Sequence, residues 1–259
     1  MADTKISALS AGSALAGTEA FAAVQSGSTV KALASDIKTY VNNAPVFAAG
    51  SASASSWPKL TSGTLLTTAE AGALELDANC LYGTTDASNR GIIPIRNIIR
   101  ADSTRTFTSN TSQQAIFNSP SNGTLTLETG AYLFEALIQV TSTSGTSGNI
   151  KFSLNSGGGA SLAAILYIVT GLDAADNTIT AISGLSETTS TVSATNTVTA
   201  STATTTTFLV KGTFEVSVAG SIIPSMAQTT AAAAVVSIGS YFMCERIGST
   251  SMASVGQWT

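Results

Sequence analysis

Residues 132–141 read YLFEALIQVT, and this stretch decides the fold class. At the two-residue period of a strand, Tyr132, Phe134, Ala136, Ile138 and Val140 share one face, and Leu133, Glu135, Leu137 and Gln139 share the other. The first face is wholly apolar, which predicts burial in a core. The second mixes leucine with polar groups, as in a sheet covered on one side and touching something else on the other. The same rhythm continues downstream in Ile150, Phe152 and Leu154, in a near-continuous apolar run at 161–170, and in 208–218, 221–228 and 234–247. Gly157-Gly158-Gly159 and Gly220 punctuate these runs, and Pro224 predicts an edge strand or a bulge. The Thr/Ser-rich stretch 189–207 reads either as an exposed strand pair or as a long loop. Roughly six to eight strands after Gly130, with Gly/Ser/Thr turns and no long helix, predict an antiparallel sandwich or jelly roll.

Upstream, 89–105 interleaves Arg90, Arg96, Arg100 and Arg105 with five isoleucines, which implies partial burial. Leu74 and Leu76 precede a turn at Asp77-Ala78-Asn79 and Leu81 follows it, predicting a β-hairpin from near Gly72. Residues 46–58 form a Ser/Ala-rich linker. Before it, Ser35 is placed to cap a short helix with Ile37, Tyr40 and Val41 on one face. Two short runs around Ser26-Gly27-Ser28 predict a further hairpin. Residues 1–19 are too poor in large apolar side chains to order themselves without a surface to lie on.

Composition narrows the function. The chain has no histidine and 10% charged residues, so the usual group for acid-base catalysis and transition-metal binding is missing. A net charge of −4 with 11 basic residues disfavours phosphate neutralisation, and so nucleic acid as a partner. Apolar runs at 160–169 and 231–236 fall short of a membrane span, no basic amphipathic stretch favours a membrane surface, and the N-terminus shows no signal peptide. Low charge with 44% hydrophobic residues predicts that copies of the chain cover one another. Cys80 and Cys244 are expected to be idle thiols, although a bridge between them is open.

Residues 5–41, KISALSAGSALAGTEAFAAVQSGSTVKALASDIKTYV, resemble the N-terminal module of tailed-bacteriophage tail-fibre and head-fibre proteins. Residues 63–91, GTLLTTAEAGALELDANCLYGTTDASNRG, resemble a connector of phage appendage proteins. In strand rhythm, 130–155 through 241–248 are similar to the C1q/TNF-like jelly rolls that cap trimeric fibres. The resemblance implies a homotrimeric virion protein, made in the host cytoplasm, that docks on capsid, collar or tail. Its parts would be an extended anchor with one short helix (1–44), a linker and β-hairpin connector (45–105) and a trimeric jelly-roll distal domain (106–259). Ile6, Leu9, Phe21, Val24, Ile37, Tyr40 and Val41 are the anchor residues it implies.

Several constellations carry a choice. Arg90, Arg96, Arg100 and Arg105 read as an inter-subunit or inter-module ion-pair set answering Glu70, Glu75, Asp77 and Asp86, rather than as a phosphate or glycan site. Trp57 and Trp258 read as interface seals. Glu75 with Asp77 is compatible with glycosidase chemistry, but few aromatics are present to stack a sugar. Asp173, Asp176 and Asn177 form a solvated turn lacking calcium-loop spacing, and the three glycines at 157–159 make no phosphate loop. Glu245 with Arg246 reads as a rim salt bridge. The expectation is a structural protein without catalytic residue, cofactor or metal. The runner-up is a receptor module whose loops at 141–149, 171–178 and 186–205 bind a host surface glycan.

Overall fold

A strand buried on one face still has to satisfy its backbone along both edges, and the partners here come from both directions in the sequence. The computed structural model describes residues 20–25, 28–33, 60–86, 89–118, 120–143, 150–155, 159–173, 179–187, 197–198 and 205–256. The chain divides into two units, Met1–Leu60 and Thr61–Thr259. In the first, β1 (Ala20–Gln25) and β2 (Ser28–Leu33) form the expected antiparallel hairpin, with Gln25 opposite Ser28. The helix expected near Ser35 lies outside the described residues.

The second unit begins with a three-stranded meander of β3 (Leu74–Leu76), β4 (Leu81–Thr84) and β5 (Arg90–Ile93), in which the hairpin predicted near Gly72 is present. Short strands follow: β6 (Arg96–Arg100), β7 (Arg105–Thr106), β8 (Gln114–Ala115) and β9 (Leu125–Leu127). The longer strands are β10 (Gly130–Thr141), β11 (Ile150–Asn155), β12 (Ser161–Asp173) and β13 (Ile179–Glu187). After β14 (Thr197–Val198) come β15 (Thr205–Val218), β16 (Gly220–Gln228), β17 (Val235–Val236) and β18 (Tyr241–Gly248). All pairings are antiparallel, and the one helical element among the described residues is a 3-10 turn at Ser121–Gly123. The fold is mainly β, as the alternation predicted.

Two sheets face each other. The larger runs β13-β12-β15-β10, and beyond β10 it divides, with β18 and β6 along most of that strand and β17 and β7 along its last residues. The smaller runs β14-β11-β16-β8, with β9 also on β16. From β10 onward the chain crosses between the sheets repeatedly, at β10–β11, β11–β12, β13–β14, β14–β15, β15–β16 and β16–β17. Their inner faces close one core, in which the Phe134 and Phe152 rings stack at 6.3 Å from opposite sheets and Tyr167 meets both edge-on. Every apolar residue assigned to the inner face of residues 132–141 is buried.

Three expectations change. The boundary at residue 105 falls inside β7, and β6 from the expected connector completes the larger sheet by pairing with β18, as β7 does by pairing with β17. Their backbone groups would otherwise be left without ladder partners. Nine strands, two of them only two residues long, are described from Gly130 onward, rather than six to eight. Pro224 lies on neither an edge nor a bulge: β16 has β11 on one side and β8 and β9 on the other. Its carbonyl accepts from Ile116 N at 2.9 Å, so its nitrogen also faces the β8 side. The pairing with Leu154 therefore asks no hydrogen bond of it.

Gly212 holds an inward position between Phe134 and Tyr167 in the strand registry. A Cβ there would lie 2.1 Å from the Leu166 carbonyl oxygen, a backbone atom that cannot step aside. Gly212→Ala is expected to destabilise the unit by about 1–3 kcal/mol as overpacking, and Phe134→Ala by about 3–5 kcal/mol as a cavity. Urea unfolding followed by circular dichroism reads both; an unchanged midpoint in either variant would contradict the packing described.

Candidate interaction surface

The outward face of the larger sheet is where this chain departs from an ordinary soluble sandwich. Ladder registry places Ile98, Met243, Glu135, Lys211 and Ile168 in one row across β6, β18, β10, β15 and β12. The adjacent rows are Arg96, Glu245, Leu133, Thr213 and Leu166 on one side, and Arg100, Tyr241, Leu137, Leu209 and Thr170 on the other. Five large apolar side chains here are open to solvent: Ile98 (67%), Leu166 (57%), Ile168 (52%), Leu133 (44%) and Leu137 (37%). Scattered exposed leucines are ordinary, but a contiguous field of them on one sheet face marks an interaction site.

Both carboxylates in these rows are matched within them. Lys211 Nζ lies 2.7 Å from Glu135 Oε2, the Tyr241 hydroxyl donates to the other oxygen of that carboxylate, and Arg96 Nε lies 2.7 Å from Glu245 Oε2. The hydrogen bond from Lys211, reinforced by that from Tyr241 and opposed by partial burial, holds the Glu135 carboxyl below the usual glutamate range. The same bond to Glu135 raises the Tyr241 phenol. A cavity of about 190 Å³ lies beside β6, lined by Ile98, Ile99, Leu125, Phe242 and the 3-10 turn.

Four of the residues predicted to bridge subunits, Arg90, Glu75, Arg96 and Arg105, find side-chain partners within the chain. Arg90 Nε bonds Glu75 Oε2 at 2.8 Å and its guanidinium also donates to the Leu66 carbonyl, while Leu66 N donates to Glu75. Arg96 takes Glu245, and Arg105 donates to Asn118 and lies over the Phe107 ring. Arg100 ends the exposed β6 opposite Tyr241, and Glu70 accepts from Ala73 N through its carbonyl in the turn before β3. Of the anchor residues, Phe21 and Val24 lie on β1 opposite Ala32 and Thr29. Ile6, Leu9, Ile37, Tyr40, Val41, Trp57 and Trp258 lie outside the described residues, as does most of each loop assigned to glycan binding.

Two further pairings are corrected. Glu245 and Arg246 make no rim salt bridge, because adjacent residues on a strand point to opposite faces. Arg246 instead reaches the β3–β4 turn, donating to the Ala78 carbonyl at 3.2 Å and the Asn79 side-chain oxygen at 2.8 Å, and it also donates to the Thr129 carbonyl. Glu75 and Asp77 have separate partners, Glu75 bonding Arg90 and Leu66 N and Asp77 bonding groups of its own hairpin. Burial alone would raise the Asp77 carboxyl, but bonds from the Cys80 and Asn79 backbones, the Asn79 side chain and the Tyr82 hydroxyl hold it low. Cys80 and Cys244 are both buried, unbridged thiols, and burial pushes Cys244 up to about 12. Among the described residues no cluster of three or more His, Cys, Asp or Glu side chains could hold a metal ion, and no helix is long and apolar enough to cross a membrane.

No family model and no curated protein matches this sequence. Among solved structures, the chain aligns with infectious bursal disease virus, Gx strain, over 69% of its own length and 41% of that chain, at 12% identity and a TM-score of 0.17. It aligns with the infectious bursal disease virus VP2 subviral particle over 72% and 48%, at 12% identity and a TM-score of 0.16. The chain thus matches less than half the length of either viral protein, and superpositions this loose do not bear on its architecture or activity.

Sequence reasoning had the mixed polarity of the β10 face but missed Lys211, Tyr241 and the flanking apolar residues that belong with it. The one available signal was the unbroken run at 161–170, which requires both faces of β12 to be apolar.

A depressed carboxyl contributes stability that is fully present above its unfolded value and is lost as pH falls through the folded one. Glu135→Gln is therefore expected to lower stability at pH 7 by up to about 1 kcal/mol. The difference from the parent should close below about pH 4 in denaturant titrations, and a gap that widens with acid would contradict the pairing. Arg246→Ala should release the β3–β4 turn, so Cys80 should be alkylated at least about tenfold faster while Cys244, in the sandwich core, stays protected. Equal rates for Cys80 in parent and variant would rule out the clamp.

Proposed function

We propose that this chain is a bacteriophage virion structural protein: a homotrimeric fibre or decoration appendage that docks through residues 1–44 and displays the sandwich distally. The observation that carries the reading is the exposed apolar field on the larger sheet, outside a sandwich whose core is already closed. A half-exposed leucine or isoleucine forgoes on the order of 1 kcal/mol of burial. Five on one face are a standing drive toward assembly.

The likeness of residues 5–91 to phage anchor and connector modules supplies the kind of particle. Symmetric association of identical chains is the simplest way to cover such a face. On this reading the partners are other copies and a capsid, collar or tail protein, and the location is the virion. The chain works by attachment and display, without cofactor or catalysis. Its polar groups support that division of labour: Glu75, Asp77, Glu135 and Glu245 each hold a structural contact.

Sedimentation velocity on the full chain tests the assembly directly. A trimer that persists in mild denaturant is expected; a monodisperse monomer at micromolar concentration overturns the reading.

A further inference from the structure

We infer that the free edge of β6 receives an extended, acid-bearing segment of another protein, which adds to the larger sheet as a further strand and seats one apolar side chain in the cavity beside that edge. The inference concerns a strand edge rather than the outward face, and it stands or falls separately from the trimer.

β6 ends its side of the larger sheet, pairing with β18 and with no other described strand. The ladder shows which of its backbone groups are left over. Ala101 N donates to the Ser240 carbonyl at 2.7 Å, and the Ala101 carbonyl accepts from Gly239 N at 2.9 Å. Bonded residues alternate along an antiparallel strand, so Ile99 and Asn97 also face β18. Arg96, Ile98 and Arg100 therefore turn their N–H and C=O groups to the open side. All three are exposed, as is Asn97 among them. A row of unpaired groups along an edge that solvent reaches is what an extended peptide needs to add a strand.

Two features give the added strand its chemistry. The first is the cavity of about 190 Å³ on the inner side of β6, where Ile99 faces the 3-10 turn. Buried Phe242 and half-buried Leu125 line it, with exposed Asn97, Pro120 and Thr124, and no ionisable side chain does. A cavity of roughly 150 Å³ holds benzene, so this one has room for a single phenyl or branched aliphatic group. It lies on the side to which alternate residues of an added strand point.

The second is Arg100. Arg96 is held by Glu245, whereas Arg100 has no ion pair among the described residues. An antiparallel segment with an acid opposite Arg100 answers that charge and brings its next residue to the cavity. The residue after that lies beside Ile98, which is 67% exposed. The same arginines argue against a second copy on this edge. Two β6 strands paired about Ile98 would set each Arg100 opposite an Arg96, and like charges directly opposite one another destabilise a ladder.

The test uses the full chain and the blocked peptide acetyl-Thr-Glu-Phe-Val-Leu-Thr-amide in isothermal titration. Saturable one-to-one binding to the parent is expected. Arg100→Glu should weaken it at least tenfold, and a peptide with Lys in place of Glu should recover the loss. Ile98→Pro removes an edge-facing N–H that β18 does not use, so it should abolish binding with an unchanged far-ultraviolet spectrum. If that variant loses its strand signal, amide hydrogen exchange on the parent decides: the peptide should slow exchange at Ile98 and Arg100. No saturable binding, equal affinity in the parent and Arg100→Glu, or unchanged exchange at Ile98 overturns the inference. Loss of self-association in Ile98→Pro assigns the edge to a second copy and overturns it as well. A parent that is trimeric yet ignores the peptide leaves the assembly reading standing.

Discussion

Ring contact between Phe134 and Phe152 is what makes two sheets one domain. Each ring projects from the middle of its own strand, and Tyr167 meets both, so the larger and smaller sheets share a single apolar interior. Phe214 and Phe242 extend the same cluster along the larger sheet. The packing tolerates no side chain at Gly212 because β12 and β15 approach too closely there. Burial of this interior is the main favourable contribution available to a chain with 10% charged residues.

The few charges are used as fasteners. Arg90 with Glu75 ties the segment near Leu66 to the meander, Arg246 holds the β3–β4 turn against the sandwich, and Glu135 gathers Lys211 and Tyr241 from two neighbouring strands. Isolated pairs of this kind contribute little each. Their value lies in fixing which short segments dock where, since β3, β5 and β6 are too short to specify their own neighbours by apolar burial.

An outward face that carries exposed leucine and isoleucine on β6, β10 and β12 follows from the same economy. Leucine and isoleucine on both faces of β10 and β12 would be a liability for a solitary domain, because exposed apolar sheet surface invites association. Here the exposed residues share one face, and the two carboxylates among them are paired within it. That combination suits a surface covered by identical neighbours, and it connects the chain's low charge to the way it is proposed to work.

Residues 132–141 were enough to identify β10, its buried face and the mixed character of its outer one, because side-chain period is a local property of a strand. The hairpins at β1–β2 and β3–β4 were equally local, each set by two apolar runs around a turn. What sequence could not assign was partnership. Arg96 reaches Glu245 across 149 positions and Arg246 reaches Asn79 across 167, and a list of charges ranks nearby partners above such distant ones. Pro224 read as an edge because the local rule knows only that it lacks an N–H, not which neighbour that N–H would have faced. The sequence by itself determined strand identity and inner face; the tertiary structure alone decided strand order, and with it the outward rows that bring Ile98, Leu133 and Leu166 onto one surface. The reason is physical: periodicity acts between adjacent residues, whereas sheet order is selected by how the whole set of strands closes a single core.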